Sequence, residues 1–151
     1  MQTQQHTIWQ TIEGAQGFEN FKNNFLPPFE FRSEVSPLVK KQFVLVKKLL
    51  DYSYYEYEFL EVALTQAVTA MEKNFRIRYR EIEHHDWQGT YDELISWFRD
   101  RGCFHRHSAL TLSQLRTLKK DRIHQPNLTI GGFYYIRWMK LIGDMINEVY
   151  E

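Results

Sequence analysis

The residue types best suited to chemistry in this chain cluster between residues 110 and 127. Four cations and a histidine fall within nine positions: Arg116, Lys119, Lys120, Arg122 and His124. Histidine titrates near neutral pH and can take or return a proton. A cation beside it stabilises negative charge that develops on a phosphate oxygen. This stretch therefore combines a proton-transfer group with groups that bind anions.

The same stretch has the pattern of a helix that ends near its histidine. Thr111 and Gln114 have the spacing of a capping box, and Pro126 disfavours helical geometry at the residue before it. His124 is therefore expected at the helix end. A simpler interpretation is that His124 interacts with the last carbonyl groups and the negative end of the helix dipole, and that the cations form a solvated face.

Composition limits the classes of protein to which this chain can belong. Its 151 residues are enough for one domain with a real core, and its 19 basic and 19 acidic residues cancel, so binding to nucleic acid would need a local patch. The single cysteine, Cys103, excludes an intrachain disulfide. No apolar run approaches the roughly 20 residues that span a bilayer, and the N-terminus lacks a signal-peptide layout. We expect a soluble cytoplasmic protein that does not bind membranes.

Hydrophobic periodicity predicts an all-α bundle of five main helices. They are expected from Ser36-Pro37 to about Asp51, from Ser53 to about Ile82, from Thr90 to Gly102, over the charged stretch, and from about Phe133 to Tyr150. Residues 75–80 alternate apolar and basic types, but the helical stripe continues through them, which favours a helix. The last helix is apolar on two faces, so it is either central to the core or the interface of a homodimer.

The first 35 residues have no sustained period but contain five phenylalanines. We predict an irregular aromatic-rich arm over residues 1–35 that packs on a bundle of residues 36–151, with one short helix near Glu19–Asn24. Two interpretations remain for the phenylalanines between residues 18 and 31. They either contact a partner or strap the arm to the protein's own core.

The order of the helices resembles that of the HEPN superfamily of helical-bundle proteins. Members carry a charged helix that ends in Arg, four to six residues, then His, followed by a final helix that commonly packs in a dimer. The layout from Tyr91 to Tyr150 is similar, with Lys119-Lys-Asp-Arg-Ile-His124 at the motif. Here lysine stands in place of the arginine, which keeps the charge but loses the bidentate grip on phosphate. Residues 1–35 lie outside the resemblance.

The resemblance implies a metal-independent endoribonuclease or RNA-binding protein of defence or toxin–antitoxin type. In such an enzyme a histidine takes the proton of an RNA 2′-hydroxyl as this attacks the adjacent phosphorus. The implied catalytic residues are His124, Lys119, Lys120 and Asp121. The run of basic residues separately suggests an RNA-binding patch that includes Arg116 and Arg122 and that Arg76 and Arg80 of the long helix extend.

Other HEPN members are inactive as enzymes, so the resemblance also allows a second hypothesis for the function of this chain. Under that hypothesis the protein is a catalytically degenerate helical module that forms a homodimer or binds a cognate protein. We predict no metal and no cofactor, because His84-His85-Asp86 and Cys103-x-His105-x-His107 lack the spacing of zinc motifs and no phosphate-binding loop is present.

Overall fold

The computed structural model describes Trp9, residues 12–107, Leu112, Gln114 and residues 128–151, the last range with side chains from residue 134 onward. Within these residues five helices have described bounds, and no residue lies in a strand. The helices are α1 (Phe18–Phe25), α2 (Pro37–Tyr52), α3 (Phe59–Glu83), α4 (Tyr91–Asp100) and α5 (Leu128–Glu148). The predicted all-α fold is confirmed, and residues 75–80 are helical. Of the helix expected over the charged stretch, only Leu112 and Gln114 are described, and both are helical.

Helices α2 and α3 pack along each other and form the first half of the core. The Ser36 hydroxyl accepts the Leu38 N–H at 3.3 Å, and Pro37 occupies the first turn of α2, as predicted. The predicted apolar row of α2 is buried: Val39, Phe43, Val46 and Leu50. Burying an apolar side chain of this size contributes about 1.5–3 kcal/mol, so this row holds α2 against α3.

The long helix begins later than the sequence indicates. Ser53–Glu56 was expected to be a capping box that opens it, but residues 53–58 form turns and α3 starts at Phe59. The Ser53 hydroxyl instead donates to the Leu50 carbonyl at 2.6 Å and so closes α2. The rings of Tyr54 and Tyr57 are both buried, and the turns that bring them into the core take precedence over an earlier helix start.

The N-terminal arm lies on the bundle through its aromatic rings. Phe21 is fully buried, 4.6 Å from the ring of Trp9, and Phe29 and Phe31 meet the ring of Phe43 edge-on at 5.1 and 4.8 Å. The other two phenylalanines of the arm are partly buried against the same core. These contacts fit the interpretation of the arm as a strap better than that of a partner-binding arm. The predicted short helix is present as α1.

Helix α4 and the turn after it direct the chain back towards the end of α5. The predicted capping box at Thr90 is confirmed: its hydroxyl accepts the Glu93 N–H and the Glu93 carboxylate accepts the Thr90 N–H, each at 3.2 Å. Gly102 follows the helix with a φ of +92°. Phe104 also has a positive φ, of 64°, and its fully buried ring lies 5.5 Å from that of Phe75. Burial of this ring holds the turn of residues 101–107 in an otherwise disfavoured conformation.

Helix α5 packs on α3 and completes the core. It begins five residues before its predicted start near Phe133, at Leu128. Its first predicted apolar face is buried: Tyr135, Met139, Ile142, Ile146 and Val149. On its second face Trp138 and Met145 are buried and Leu141 is half-buried. Among the described helices none is both long and apolar enough to cross a membrane.

Candidate functional site

Most of the residues singled out from the sequence lie outside the described residues. These are the four expected catalytic residues His124, Lys119, Lys120 and Asp121, together with Arg116 and Arg122. Their assignment stays a prediction.

The two remaining predicted RNA-binding residues, Arg76 and Arg80, are exposed on α3. The Arg76 guanidinium meets the Glu72 carboxylate at 3.2 Å, and that of Arg80 meets the Asp86 carboxylate at 3.5 Å. Each arginine is therefore partly neutralised by a neighbour, which weakens its pull on a phosphate. Neither of them lines the cleft described next.

A cleft of about 670 Å³ runs along the second half of the molecule, between one face of α5 and the turn of residues 101–107. The α5 residues that line it follow helical spacing: Tyr134, Arg137, Trp138, Lys140, Leu141 and Asp144. Arg106 and His107 line it from the turn, and Gln114 from the segment that continues to the charged stretch. His124 follows Gln114 by ten residues in the chain.

Positive charge predominates among the described residues that line this cleft. We call Arg106, Arg137 and Lys140 the cleft cations, and Asp144 is the acidic residue among the lining side chains. Arg137 and Lys140 are exposed and form no ion pair with another described residue, whereas Arg106 lies 3.6 Å from the Glu151 carboxylate. The local balance differs from the zero net charge of the chain. The cleft can therefore attract an anion that the protein as a whole does not.

An exposed aromatic ring lies in the same cleft. Tyr134 is 54 % exposed, and Trp138 lines the cleft one helical turn further on while remaining buried itself. An exposed tyrosine in a cleft lined by cations offers a flat apolar surface together with groups that bind phosphate. This combination suits a ligand that carries both rings and phosphates.

His107, which lines the cleft, forms a buried pair with Glu148. The histidine Nε2 lies 3.0 and 3.1 Å from the two carboxylate oxygens, and the side chains are 11 % and 6 % exposed, respectively. The contact joins the turn of residues 101–107 to the last turn of α5. Because His107 also lines the cleft, the pair brings a histidine with a fixed orientation to the surface where a ligand would lie.

The end of α5 that carries Glu148 is fixed to α3 by side chains that bond its backbone. The Asn74 amide donates to the Ile146 carbonyl at 3.2 Å, and the Arg78 guanidinium donates to the Val149 carbonyl at 3.0 Å. The Tyr150 hydroxyl donates to the Asn74 side-chain carbonyl at 3.3 Å. Burial raises the pKa of Tyr150 to about 12, so this hydroxyl keeps its proton at neutral pH.

The thiol near this pair does not have the properties of a nucleophile. Burial, and then the charge of Glu148, raise the pKa of Cys103 above its ordinary value, which disfavours the thiolate. In the described part of the chain no three His, Cys, Asp or Glu side chains are arranged to hold a metal ion. His105, the other histidine of the Cys103-x-His105-x-His107 stretch, is exposed, and its Nδ1 lies 3.3 Å from the Gly102 carbonyl.

Sequence reasoning passed over Glu148, although the sequence contains a signal for it. The second apolar face of α5 runs through Trp138, Leu141 and Met145, and the next position at helical spacing is Glu148. A carboxylate that continues an apolar face is expected to be buried and therefore to have a charged partner. The identity of that partner, His107, depends on the turn at Phe104 and could not be read from spacing.

Comparisons of the chain with models of known protein families, with curated proteins and with solved structures found no match.

Proposed function

We propose that this protein binds single-stranded RNA in the cleft between α5 and the turn of residues 101–107. The observation that carries the proposal is that the cleft cations and the exposed Tyr134 line the same cleft. Lysine and arginine side chains bind phosphates without regard to sequence, and an aromatic ring stacks on any base. The zero net charge of the chain means that this local patch supplies the attraction.

A single strand fits these residues better than a duplex. Bases in a duplex are stacked on each other, whereas those of a single strand can stack on a side chain such as Tyr134. Trp138 and Leu141 give the cleft an apolar wall beside the cations. A mixed lining of this kind serves a ligand whose bases and backbone both face the protein.

We further propose that the bound RNA is cleaved without a metal ion, as the resemblance to the HEPN superfamily suggests. His124 takes part in proton transfer, Lys119 or Lys120 stabilises the charge on the phosphate, and Asp121 is their polar neighbour. Gln114 supports this assignment, because it lines the cleft and precedes this segment in the chain. A protein of this kind would act in defence or toxin–antitoxin pairing within the cytoplasm.

The experiment is an RNA cleavage assay in EDTA with end-labelled single-stranded RNA. We expect products that end in a 2′,3′-cyclic phosphate, and no cleavage of the same RNA carrying 2′-O-methyl groups, since the 2′-hydroxyl is the attacking group. His124→Ala should abolish cleavage without lowering the melting temperature. Intact RNA after incubation with purified protein would refute the nuclease proposal, as would an unchanged rate in the His124 variant.

A second candidate function is a catalytically degenerate module that binds a protein or forms a homodimer. The observation that favours it is an exposed apolar row on α2, where Leu38, Leu45 and Tyr52 recur every seven residues and are 63 %, 45 % and 56 % exposed. Most of the apolar residues of α5, the helix expected at a dimer interface, are instead buried in the protein's own core. We therefore place a protein partner on α2.

Sedimentation velocity at micromolar concentration tests this second candidate. A homodimer should become monomeric in Leu45→Lys, while Lys48→Ala on the same helix should leave it intact. A parent protein that sediments as a monomer would contradict the homodimer.

A further inference from the structure

We infer that His107, held by Glu148, is a proton-transfer group of the cleft and takes the proton of the RNA 2′-hydroxyl. This inference rests on the proposed RNA cleavage and assigns a catalytic residue to it that the motif in the sequence does not include. Three observations lead to it: His107 lines the cleft, its Nε2 is bonded to both oxygens of a buried carboxylate, and the cleft cations line the same cleft.

The carboxylate decides which ring nitrogen is free to react. An ionised carboxylate only accepts hydrogen bonds, so the bond to Glu148 requires that Nε2 carries a hydrogen and donates it. In the neutral imidazole the lone pair then lies on Nδ1. Among the described residues Nδ1 has no hydrogen-bond partner, and His107 lines the cleft. Nδ1 is therefore the atom available to accept a proton from a ligand.

The surroundings of the pair hold the imidazole in one orientation. Glu148 lies on the turn of α5 whose backbone is bonded by Asn74 and Arg78 of α3. The His107 N–H donates to the Phe104 carbonyl at 2.9 Å, which fixes the backbone of the turn. A base that is bonded on one nitrogen and positioned from both sides needs no reorganisation when a substrate arrives.

The step that we assign to His107 begins with the ribose 2′-hydroxyl of the bound strand. Nδ1 takes the hydroxyl proton as the 2′-oxygen forms a bond to the adjacent phosphorus, and the bond from phosphorus to the 5′-oxygen breaks with its electron pair on that oxygen. The 5′-oxygen takes a proton from the His124 imidazolium, which is the proton-transfer role proposed for that residue. The His107 imidazolium afterwards returns its proton to His124 through water, so both histidines regain their starting states. The products are a 2′,3′-cyclic phosphate and a 5′-hydroxyl, so atoms and charge balance.

The cleft cations supply the second requirement of this reaction. Negative charge develops on the non-bridging phosphate oxygens as the 2′-oxygen attacks, and Arg137 and Lys140 lie exposed in the same cleft as the imidazole. The rival account of the pair is purely structural, in which it only clasps the turn of residues 101–107 to α5. The two accounts differ in whether the loss of the imidazole alone, with the fold intact, stops the chemistry.

The test uses the full chain and the single-stranded RNA cleavage assay in EDTA. His107→Gln keeps an N–H that can donate to Glu148 but cannot transfer the proton, and it should lower the cleavage rate by about 10²–10⁴-fold with unchanged RNA affinity. His107→Ala should be equally slow and should regain activity when free imidazole is added. The matched control is His105→Ala, an exposed histidine of the same turn, which should cut as fast as the parent.

Glu148 acts through His107 and is a positioning residue. Glu148→Gln can present its NH₂ group to the imidazole and so favour the wrong tautomer. We expect its kcat to fall by about tenfold or more while its KM stays that of the parent. If Glu148 has only a structural role, the cleavage rate of the variant should fall in proportion to the fraction of protein that is unfolded. Circular dichroism of the same samples measures that fraction.

The outcomes separate this inference from the proposed function. A parent that cuts no RNA overturns both. A parent that cuts RNA and a folded His107→Gln that cuts it equally fast overturn the role of His107 alone. If His107→Ala folds and imidazole restores no activity, the role is also overturned, and if that variant does not fold, the rate of His107→Gln decides.

Discussion

The contact between His107 and Glu148 should couple the stabilities of two alanine variants. The two nitrogen-to-oxygen distances are 3.0 and 3.1 Å, and both side chains are almost fully buried. Hydrogen bonds to charged groups contribute about 1.5–3 kcal/mol. Each single variant loses this contribution and leaves its partner unpaired, whereas the double variant loses it only once. We therefore expect a coupling free energy of about 2 kcal/mol between His107→Ala and Glu148→Ala.

Urea unfolding of the parent, both single variants and the double variant measures this coupling. The control is the cycle of Arg76→Ala and Glu72→Ala, whose ion pair is of similar length, 3.2 Å, but is more open to solvent, with the arginine 42 % and the glutamate 17 % exposed. Solvent screening reduces such a pair to about 0.3–0.5 kcal/mol. A coupling at His107 and Glu148 no larger than that of the control would refute the reasoning, because burial would then have no effect on the pair.

Further predictions concern hydroxyl and thiol groups near α5. Tyr135→Phe should raise the free energy of unfolding by about 1 kcal/mol, because the buried Tyr135 hydroxyl has no hydrogen-bond partner among the described residues. Tyr150→Phe should lower the free energy of unfolding by a similar amount, because it loses the hydrogen bond to Asn74. Urea unfolding that found Tyr135→Phe less stable than Tyr150→Phe would contradict both predictions. Burial raises the pKa of Tyr150 from 10.0 to about 12, so unfolding releases its proton more readily, and stability should fall as pH rises across that range but less steeply in Tyr150→Phe. Because the pKa of Cys103 is raised, its alkylation by iodoacetamide at about pH 8.5 should be slower than that of free cysteine and should accelerate in Glu148→Gln, and equal rates would argue against the burial of the thiol.

Local signals in the sequence were sufficient for much of the fold. The caps at Ser36 and Thr90 and the buried row of α2 depend on residues within one or two turns of each other, and all of them are confirmed. The start of α3 was wrong, because Ser53 has the same side chain whether it opens one helix or closes another. Ser53 closes α2 because Tyr54 and Tyr57 are buried in the core, and their burial depends on parts of the chain that are distant in sequence.

The cleft could be predicted only in part. The spacing of Tyr134, Arg137 and Leu141 along one helix face is visible in the sequence, but their placement opposite His107 is not. That placement requires the turn in which Phe104 adopts a positive φ, a conformation that no short motif specifies for phenylalanine.

The central claim, that RNA lies in the cleft, is tested most directly by the salt dependence of RNA binding. Fluorescence anisotropy with a 2′-O-methylated single strand of about 12 nucleotides measures binding without cleavage. Each phosphate contact in a single strand contributes about 0.7 to the slope of log Kd against log salt concentration, so Arg137→Ala with Lys140→Ala should reduce the slope by about 1.4. The matched control is Lys41→Ala with Lys48→Ala, which removes the same charge from exposed positions on α2 and should leave the slope at the parent value. Equal slopes in the cleft variant and the parent, or an equal loss in both double variants, would contradict the placement of RNA in the cleft.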